Sequence, residues 1–507
     1  IEEIGRKIAN KCEGLPLAII EVAKILCKTQ RKVESWKEIA ESEDPLVITI
    51  DDDTHISKTL SLSYKMLPQH LKSCFLYMGG FIEPTSLSKS MERMAEEYLV
   101  DLVSRNIVLV CKGSSRGRIK TCRIHFLFRN ICISEAQNQK LFHVIKKHPN
   151  NFPEGTNRQR GLCFHNNTVL GFKGVHSLME SVSTARSLLC FGPQHQHPLR
   201  VYLDFPPLRV VEAVTIRFYK FPLQVIQLVE LRFLAITYDG EIPASISGLC
   251  NLEVLIVHRH HESLTSRYAH ACLHIEIWVL RKLRHLKCME DGFDGPVNIL
   301  ENLLTLSGVS ARSCTRGVLG RMPNLMKLGI RIESLHEAVG TFNSLGDFSY
   351  LIRLESFKCV VLNPGFGSQD VSFTPSFPVN IRKTSLMPNL EVQKLRWHAF
   401  RGPEWETNGG EFLGLKVLLL EDLDIKQWRA HETGFPPLRR LIIRHCYKLQ
   451  EIPFDIPTLE SLEVDYCDRS SAMWTREINK VVRDSGNKPL KLRFNSSWED
   501  NKRKPKP

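Results

Sequence analysis

Apolar positions change their period once along this chain. At the start, Ile1, Ile4 and Ile8 fall at i, i+3 and i+7, one face of a helix. Gly14 and Pro16 break that helix within EGLPLAII, and a new apolar face begins at Leu17 with Ile20, Ala23 and Ile25. Ile56, Leu60, Ser63, Leu67, Leu71, Cys74, Phe75 and Met78 recur at helical spacing, with Pro68 suited to opening a new helix. MERMAEEYLVDLVSRN then sets Met91, Met94, Ala95, Tyr98, Leu99, Leu102 and Val103 in one stripe. After it, IVLVCK, the turn GSSRG and RIKTCRIH predict a β-hairpin. Helix, hairpin and helix is the order of a winged-helix unit. Many such units bind DNA, but these helices lack the dense Arg, Lys and Asn face that reads base edges, which argues against nucleic acid.

From about residue 184 the pattern becomes LxxLxxLxL. Leu249, Leu252, Leu255 and Val257 show it, as do Met322, Leu325, Leu328 and Ile330. So do Phe412, Leu415, Leu418 and Leu420; Phe435, Leu438, Leu441 and Ile443; and Ile456, Leu459, Leu462 and Val464. Weaker units surround Leu283–Leu286, Leu303–Leu306 and Leu351–Leu354. Leu415, Leu438 and Leu459 are 23 and 21 residues apart, within the period of leucine-rich repeats. In such a unit the LxL pair points two alternate side chains of a short strand into the core. One repeat cannot bury that face alone, so the units stack into a horseshoe with a parallel sheet. One site breaks the rule: Gln393 stands where Leu belongs, which predicts local distortion of that repeat.

Residues flanking the LxL positions are expected on the concave face. They include Lys327, Arg331, Arg353, Lys394, Arg396, Arg440 and Arg444, followed by Glu463 and Asp465 in the last unit. A basic stripe beside an acidic end suits an acidic protein partner or another domain of the same protein. A solvated, variable face is the plainer alternative.

Composition sharpens this picture. Leu occurs 63 times in 507 residues, an excess that the repeats explain. Net charge is +13, and the segment from Lys488 onward carries seven Lys and Arg against two acids. That balance permits contact with anionic surfaces, including peripheral association with a membrane. Fifteen cysteines with no CxxC pair suit a reduced, cytoplasmic compartment rather than a disulfide framework. His258, His260 and His261 lack metal partners at ligand spacing. No apolar run approaches the ~18–20 residues of a membrane span, and no catalytic triad or carboxylate pair stands at a readable junction. The first residue is Ile with a helical pattern already running and no signal peptide, so a fragment, or a chain lacking its start, is expected.

GLPLA at 14–18, LSYKMLPQHLKSCFLYMGGF at 62–81, AEEYLVDLVSRNIVLV at 95–110 and RIHFLFRN at 123–130 resemble the NB-ARC region of plant NLR disease-resistance proteins. The likeness is to the late-blight-resistance group of coiled-coil NLRs. It implies an α+β chain: a helical ARC subdomain at 1–55, a winged-helix remnant at 56–150, a linker at 151–183, an α/β leucine-rich-repeat solenoid at 184–485 and a basic tail at 486–507. By this resemblance Pro16 packs on the adenine of ADP or ATP, and His125 contacts the β-phosphate. The aspartate that follows that histidine in the family is Phe126 here, which cannot cap a helix start. No GxxxxGK[ST] loop is present, and Phe81 passes directly to IEPTSLSKS where the family has a further helix. The resemblance implies an intracellular, non-enzymatic immune receptor with at most weak ATPase activity. Its repeats would recognise a pathogen effector or guarded host protein, and its ADP/ATP switch would trigger the hypersensitive response. Without a phosphate loop, this chain alone is not expected to hold nucleotide. The alternative is a non-switching scaffold or decoy that regulates full-length relatives.

Overall fold

The computed structural model describes residues 2–11, 19–20, 22–23, 26–27, 33–41, 64–72, 91–113, 119–145, 160–165, 184–194, 207–260, 274–288, 298–334, 348, 350–363, 384–397, 399–400, 403–431, 435–453, 456, 458–468, 471–484, 486 and 490–495. Two compact units divide the chain. The first is Ile1–Asn166 with Ser181–Leu189, and the second is Asn167–Glu180 with Cys190–Pro507.

In the first unit, helix α1 (Glu2–Lys11) packs on α2 (Val33–Glu41), with Gly5 facing the Trp36 ring. Glu2 and Glu3 favour the positive end of the α1 dipole, and each pairs one turn on, with Arg6 and Lys7. Helix α3 (Met91–Ser104) buries Met94 and Leu102. Asn106 then turns the chain in the left-handed region, which Asn tolerates better than most residues. Strands β1 (Val108–Gly113) and β2 (Ile119–Ile124) pair antiparallel, with Val108 opposite Ile124, and α4 (Phe126–Asn138) follows. Helix, hairpin and helix therefore stand in the order read from the sequence. The segment between CFLYMG and IEPTSLSKS lies outside the described residues. Strands β3 (Phe142–Ile145) and β4 (Gly161–His165) are already parallel; a side chain at Gly161 would run into the Phe142 ring.

Strand β5 (Ser187–Phe191) spans the division. The second unit continues with β6 (Val210–Phe218), β7 (Phe233–Tyr238), β8 (Val254–His258), β9 (His285–Lys287), β10 (Thr305–Ser310), β11 (Lys327–Ser334), β12 (Ser356–Asn363) and β13 (Val392–Arg396). After these come β14 (Glu404–Thr407), β15 (Val417–Glu421), β16 (Gln427–Ala430), β17 (Arg440–Arg444) and β18 (Ser461–Asp465). Except for β14 and β16, neighbours from β6 to β18 pair in parallel in chain order, one strand per repeat, which is a leucine-rich-repeat solenoid. The sheet face carrying Leu234, Leu255, Leu286, Leu306, Leu328, Phe357, Leu418, Leu441 and Leu462 is buried. Each such side chain contributes about 1.5–3 kcal/mol by leaving water.

Polar pegs hold successive repeats together. Asn251, Asn302, Asn324 and Asn389 each donate from Nδ2 to a carbonyl of the preceding repeat, those of Val229, Arg281, Glu301 and Ile352, at 2.9, 2.9, 2.7 and 2.7 Å. The return path in the early repeats is a short 3-10 turn, as at Leu223–Gln227 and Ala244–Gly248. Later, β14 and β16 form a separate parallel pair. There Trp405 stacks on Trp428 at 4.9 Å, and Phe412 stacks on Phe435 at 4.9 Å. Helix α5 (Ser471–Asp484) buries Trp474, Ile478 and Val482, one turn apart, and returns the chain to β19 (Lys491–Asn495), which pairs with β18. Parallel pairing thus extends past residue 485, into the segment read as a basic tail.

Gln393 does not distort its repeat. Strand β13 keeps unbroken register with both neighbours, Gln393 opposite Phe357 and Leu418. The side chain is wholly buried, and its Nε2 donates to Thr384 Oγ1 at 3.1 Å. One satisfied donor offsets part of the cost of burying the amide, so the leucine position accepts it.

Candidate binding surface

Opposite the sealed leucine face, the alternate residues of each strand point outward and form an open face. Strand register sorts them into rows. One row runs Lys287, Ser307, Gly329, Lys358 and Lys394 from β9 to β13. The adjoining row runs Arg331, Val360, Arg396, Glu421, Arg444 and Asp465 from β11 to β18.

The rows bring some of the sequence-selected cations together and separate others. Lys327 is exposed at the start of β11, and Arg331 is buried on the same strand. Lys394 and Arg396 project from β13, and Arg440 and Arg444 from β17. Arg353 is not on a strand: it lies exposed in the turn before β12. Pro16 lies outside the described residues. His125 is completely buried directly before α4; its backbone N–H donates to the Ile107 carbonyl at 2.9 Å, and its ring meets Phe128 edge-on.

Charge along the stripe alternates more than the sequence list suggests. Arg396 pairs with Glu421 at 3.3 Å. Arg444 contacts Glu463 directly and Asp465 at 3.1 Å, while Arg440 and Arg493 approach Glu463 at 3.4 and 3.9 Å. Asn495 donates to Asp465 at 2.7 Å. Burial by itself would raise the Glu463 carboxyl, but hydrogen bonding and charge from Arg444, with Arg493 and Arg440, hold it below the usual carboxylate range. The C-terminal half of the open face is therefore an internally compensated lattice of fixed geometry.

An aromatic rim follows that lattice. Trp397, Asp422, His445 and Tyr466 occupy the same place after β13, β15, β17 and β18, all in the left-handed region with φ of 50, 57, 53 and 53°. Each donates its backbone N–H to the last carbonyl of the next strand, those of Glu421, Arg444, Asp465 and Asn495, at 2.9 Å. His445 stacks on Tyr466 at 5.5 Å and shares a 3.0 Å hydrogen bond with Tyr447, whose side chain is exposed. Sequence reading missed this rim, because the signal is a backbone angle and not a residue type.

Toward β9–β12 the open face sinks into a pocket of about 460 Å³. His258, the described member of the histidine cluster that lines it, stands at the end of β8, while the backbone of His260 donates to Asp239 at 2.9 Å. Among the described residues no group of His, Cys, Asp and Glu is arranged to hold a metal. Burial pushes the thiols of Cys359 and Cys446 up to about 12, so both are core groups rather than nucleophiles. No described helix is long and apolar enough to cross a membrane.

Residues 75–132 match the family described as the disease resistance protein winged helix domain. Two putative late blight resistance protein homologs of Solanum demissum are each 29% identical to this chain, over 98% of it and 41% of their own length. A third is 30% identical over 97% of this chain and 41% of its own length. The chain thus spans about two-fifths of the length of these curated relatives. Among solved structures, the leucine-rich-repeat ectodomain of a plant membrane receptor kinase from Arabidopsis thaliana is 16% identical, with a TM-score of 0.33 over 67% of this chain and 46% of that one. An internalin from Listeria monocytogenes is 12% identical, with a TM-score of 0.29 over 63% of this chain and 76% of that one. The resemblance drawn from the N-terminal motifs therefore holds: the chain has a winged-helix domain of the disease-resistance type and is homologous to the late blight resistance homologs.

Proposed function

We propose that this chain acts in plant disease resistance as a non-catalytic recognition module, binding a pathogen effector or guarded host protein on the open face of its repeats. One observation carries the reading. A sheet sealed by leucine on one side presents, on the other, a pre-ordered lattice of Arg, Glu and Asp edged by Trp397, Tyr447 and Tyr466. Arg, Trp and Tyr are the residues that dominate protein-interface energetics, and a fixed lattice gives up little side-chain freedom on binding. Relatives named for late blight resistance supply the biological setting.

Expression in leaf tissue together with a candidate effector tests the reading. Trp397→Ala with Tyr466→Ala is expected to abolish effector binding, read by co-precipitation, while Val229→Ala, an exposed site outside the rim, leaves it unchanged. Equal binding by the rim variant would overturn it.

The nucleotide switch belongs, in this reading, to an assembly with a phosphate-binding segment. Two features support this: His125 is fully buried, and the sequence holds no Gly-rich phosphate loop. ADP recovered from the purified chain at one equivalent would refute this part.

A further inference from the structure

The hairpin of the first unit sets two cysteines against each other. Strands β1 and β2 pair Val110 with Cys122 and then Lys112 with Thr121, so Cys111 is an extra residue in β1. In a regular ladder Cys111 would stand opposite Thr121, on the other face from Cys122. The bulge instead sets Val110 and Cys111 together against Cys122. Opposed residues of an antiparallel pair have Cα atoms roughly 4.5–5.5 Å apart, within the ~4.4–6.8 Å that a disulfide spans. The two sulfurs also sense each other: burial raises the half-buried Cys122 thiol, and the neighbouring Cys111 raises it further. Both cysteines are free thiols, and Cys111 is exposed. Its Sγ reaches the Leu109 carbonyl at 4.0 Å, a weak contact for a thiol donor.

We propose that Cys111 and Cys122 are a peroxide-responsive thiol pair that closes to a disulfide across the hairpin. Exposure and a second thiol close by set a redox-responsive cysteine apart from a core one. The order of events follows from the same facts. Cys111, open to solvent, attacks hydrogen peroxide; its sulfur takes one oxygen to become a sulfenic acid, and one water leaves. Cys122 then attacks that sulfenic sulfur. The S–S bond forms, the S–O bond breaks, and the Cys122 proton leaves with the hydroxyl as a second water. Two thiols lose two electrons and two protons in all, and the peroxide takes both. Cys446 and Cys467 make the contrast. They too stand at matching places, two residues beyond the paired Arg444 and Asp465, but both are buried and closed to an aqueous oxidant. The Cys111–Cys122 bond closes a covalent loop over residues 112–121 and pins the hairpin directly ahead of the buried His125.

Treatment of the reduced full chain with hydrogen peroxide, followed by tryptic mapping without reductant, tests the proposal. Lys112 directly follows Cys111, and Lys120 and Arg123 bracket Cys122, so trypsin leaves the two cysteines joined only through a disulfide. A linked pair of peptides, lighter by two hydrogens and separated by dithiothreitol, is expected. Cys111→Ser should abolish the link and leave Cys122 a thiol. Cys122→Ser should abolish it too, but leave Cys111 as a sulfenic acid that dimedone captures. Cys250→Ser removes an exposed thiol whose counterparts in the neighbouring repeats are Val229 and Arg281, and should leave the link unchanged. Circular dichroism checks that each variant is folded. Hydrogen exchange in β1 and β2 should slow on oxidation and recover with dithiothreitol, while exchange in β17 and β18 stays the same. Any of four results overturns the proposal: Cys111 oxidised in the wild type with Cys122 left a thiol, a Cys446–Cys467 link forming first, a Cys111–Cys122 link forming no faster in the folded chain than in urea, or hairpin exchange unchanged by the bond.

Discussion

Removing the charge of Glu463 should loosen the C-terminal end of the solenoid. Its side chain is 6% exposed and meets three guanidinium groups, with Arg444 in direct contact and Arg440 at 3.4 Å. Glu463→Gln keeps the shape and deletes the charge. A fully buried pair that loses one partner costs about 3–5 kcal/mol, and an exposed pair only about 0.2–1 kcal/mol. Here the carboxylate is buried but Arg440, Arg444 and Arg493 are 34, 33 and 69% exposed, so water recovers part of their solvation. The expected loss lies between those limits, about 2 kcal/mol. In a repeat array it falls on the nearest units, so hydrogen exchange should quicken in β15, β17 and β18 and stay unchanged in β7 and β8. The effect has a definite sign with pH. A carboxyl held below its ordinary value in the folded state stabilises fully above the unfolded value and loses that contribution as pH falls through the folded one. Wild type and variant should therefore differ most at neutral pH and converge in strong acid. A urea-derived difference under about 0.5 kcal/mol at neutral pH, or the same difference in acid, would refute the account.

Three further outcomes follow from the packing. Gln393→Leu should raise stability by about 1 kcal/mol, because it removes a buried amide oxygen that lacks a hydrogen-bond partner among the described residues; a lower urea midpoint would show that the Thr384 contact outweighs it. Asn324→Ala should cost about 1 kcal/mol, with faster exchange at the junction of β10 and β11, because the Glu301 carbonyl loses its donor. Trp428→Ala should cost about 3–5 kcal/mol, since it empties the stack between Trp405 and Phe435; a loss below 1 kcal/mol would mean that the second sheet bears little of the fold.

Legibility of the sequence tracked how local each signal is. Each leucine position named for the five clear repeats is buried, because a single unit's pattern is enough to place it. The hairpin and the helices around it were equally local. Within the repeat region read from about 184, the unit at Leu228, Leu231, Leu234 and Ile236 keeps the same spacing and is buried, but FPLQVIQLVE masks its period with other apolar residues. The asparagine pegs sat in plain view in LCNLEVL and MPNLMKL, but their partner is a carbonyl one repeat away. Charge was the least legible feature. Arg444 and Glu463 are 19 residues apart, and only the register of β17 against β18 shows that they neutralise each other.

That register also explains why one face can carry two different chemistries. Where an outward row alternates sign, as from Arg396 to Asp465, neighbouring strands cancel their own charge and the surface is set by shape and by the aromatic rim. Where the row holds Lys287 and Lys358, the small residues Ser307 and Gly329 stand between them and the face is hollow. The rim supports the same division. Four non-glycine residues in the left-handed region, one in each of four successive repeats, cost of order 1 kcal/mol each, and glycine would avoid that cost. Their hydrogen bonds to the next strand would survive a change to glycine, since only backbone atoms take part. What glycine would remove is the side chain, and Trp397, His445 and Tyr466 are kept at that expense beside the compensated lattice. Trp397 also lines the pocket, so the rim and the hollow meet at one side chain.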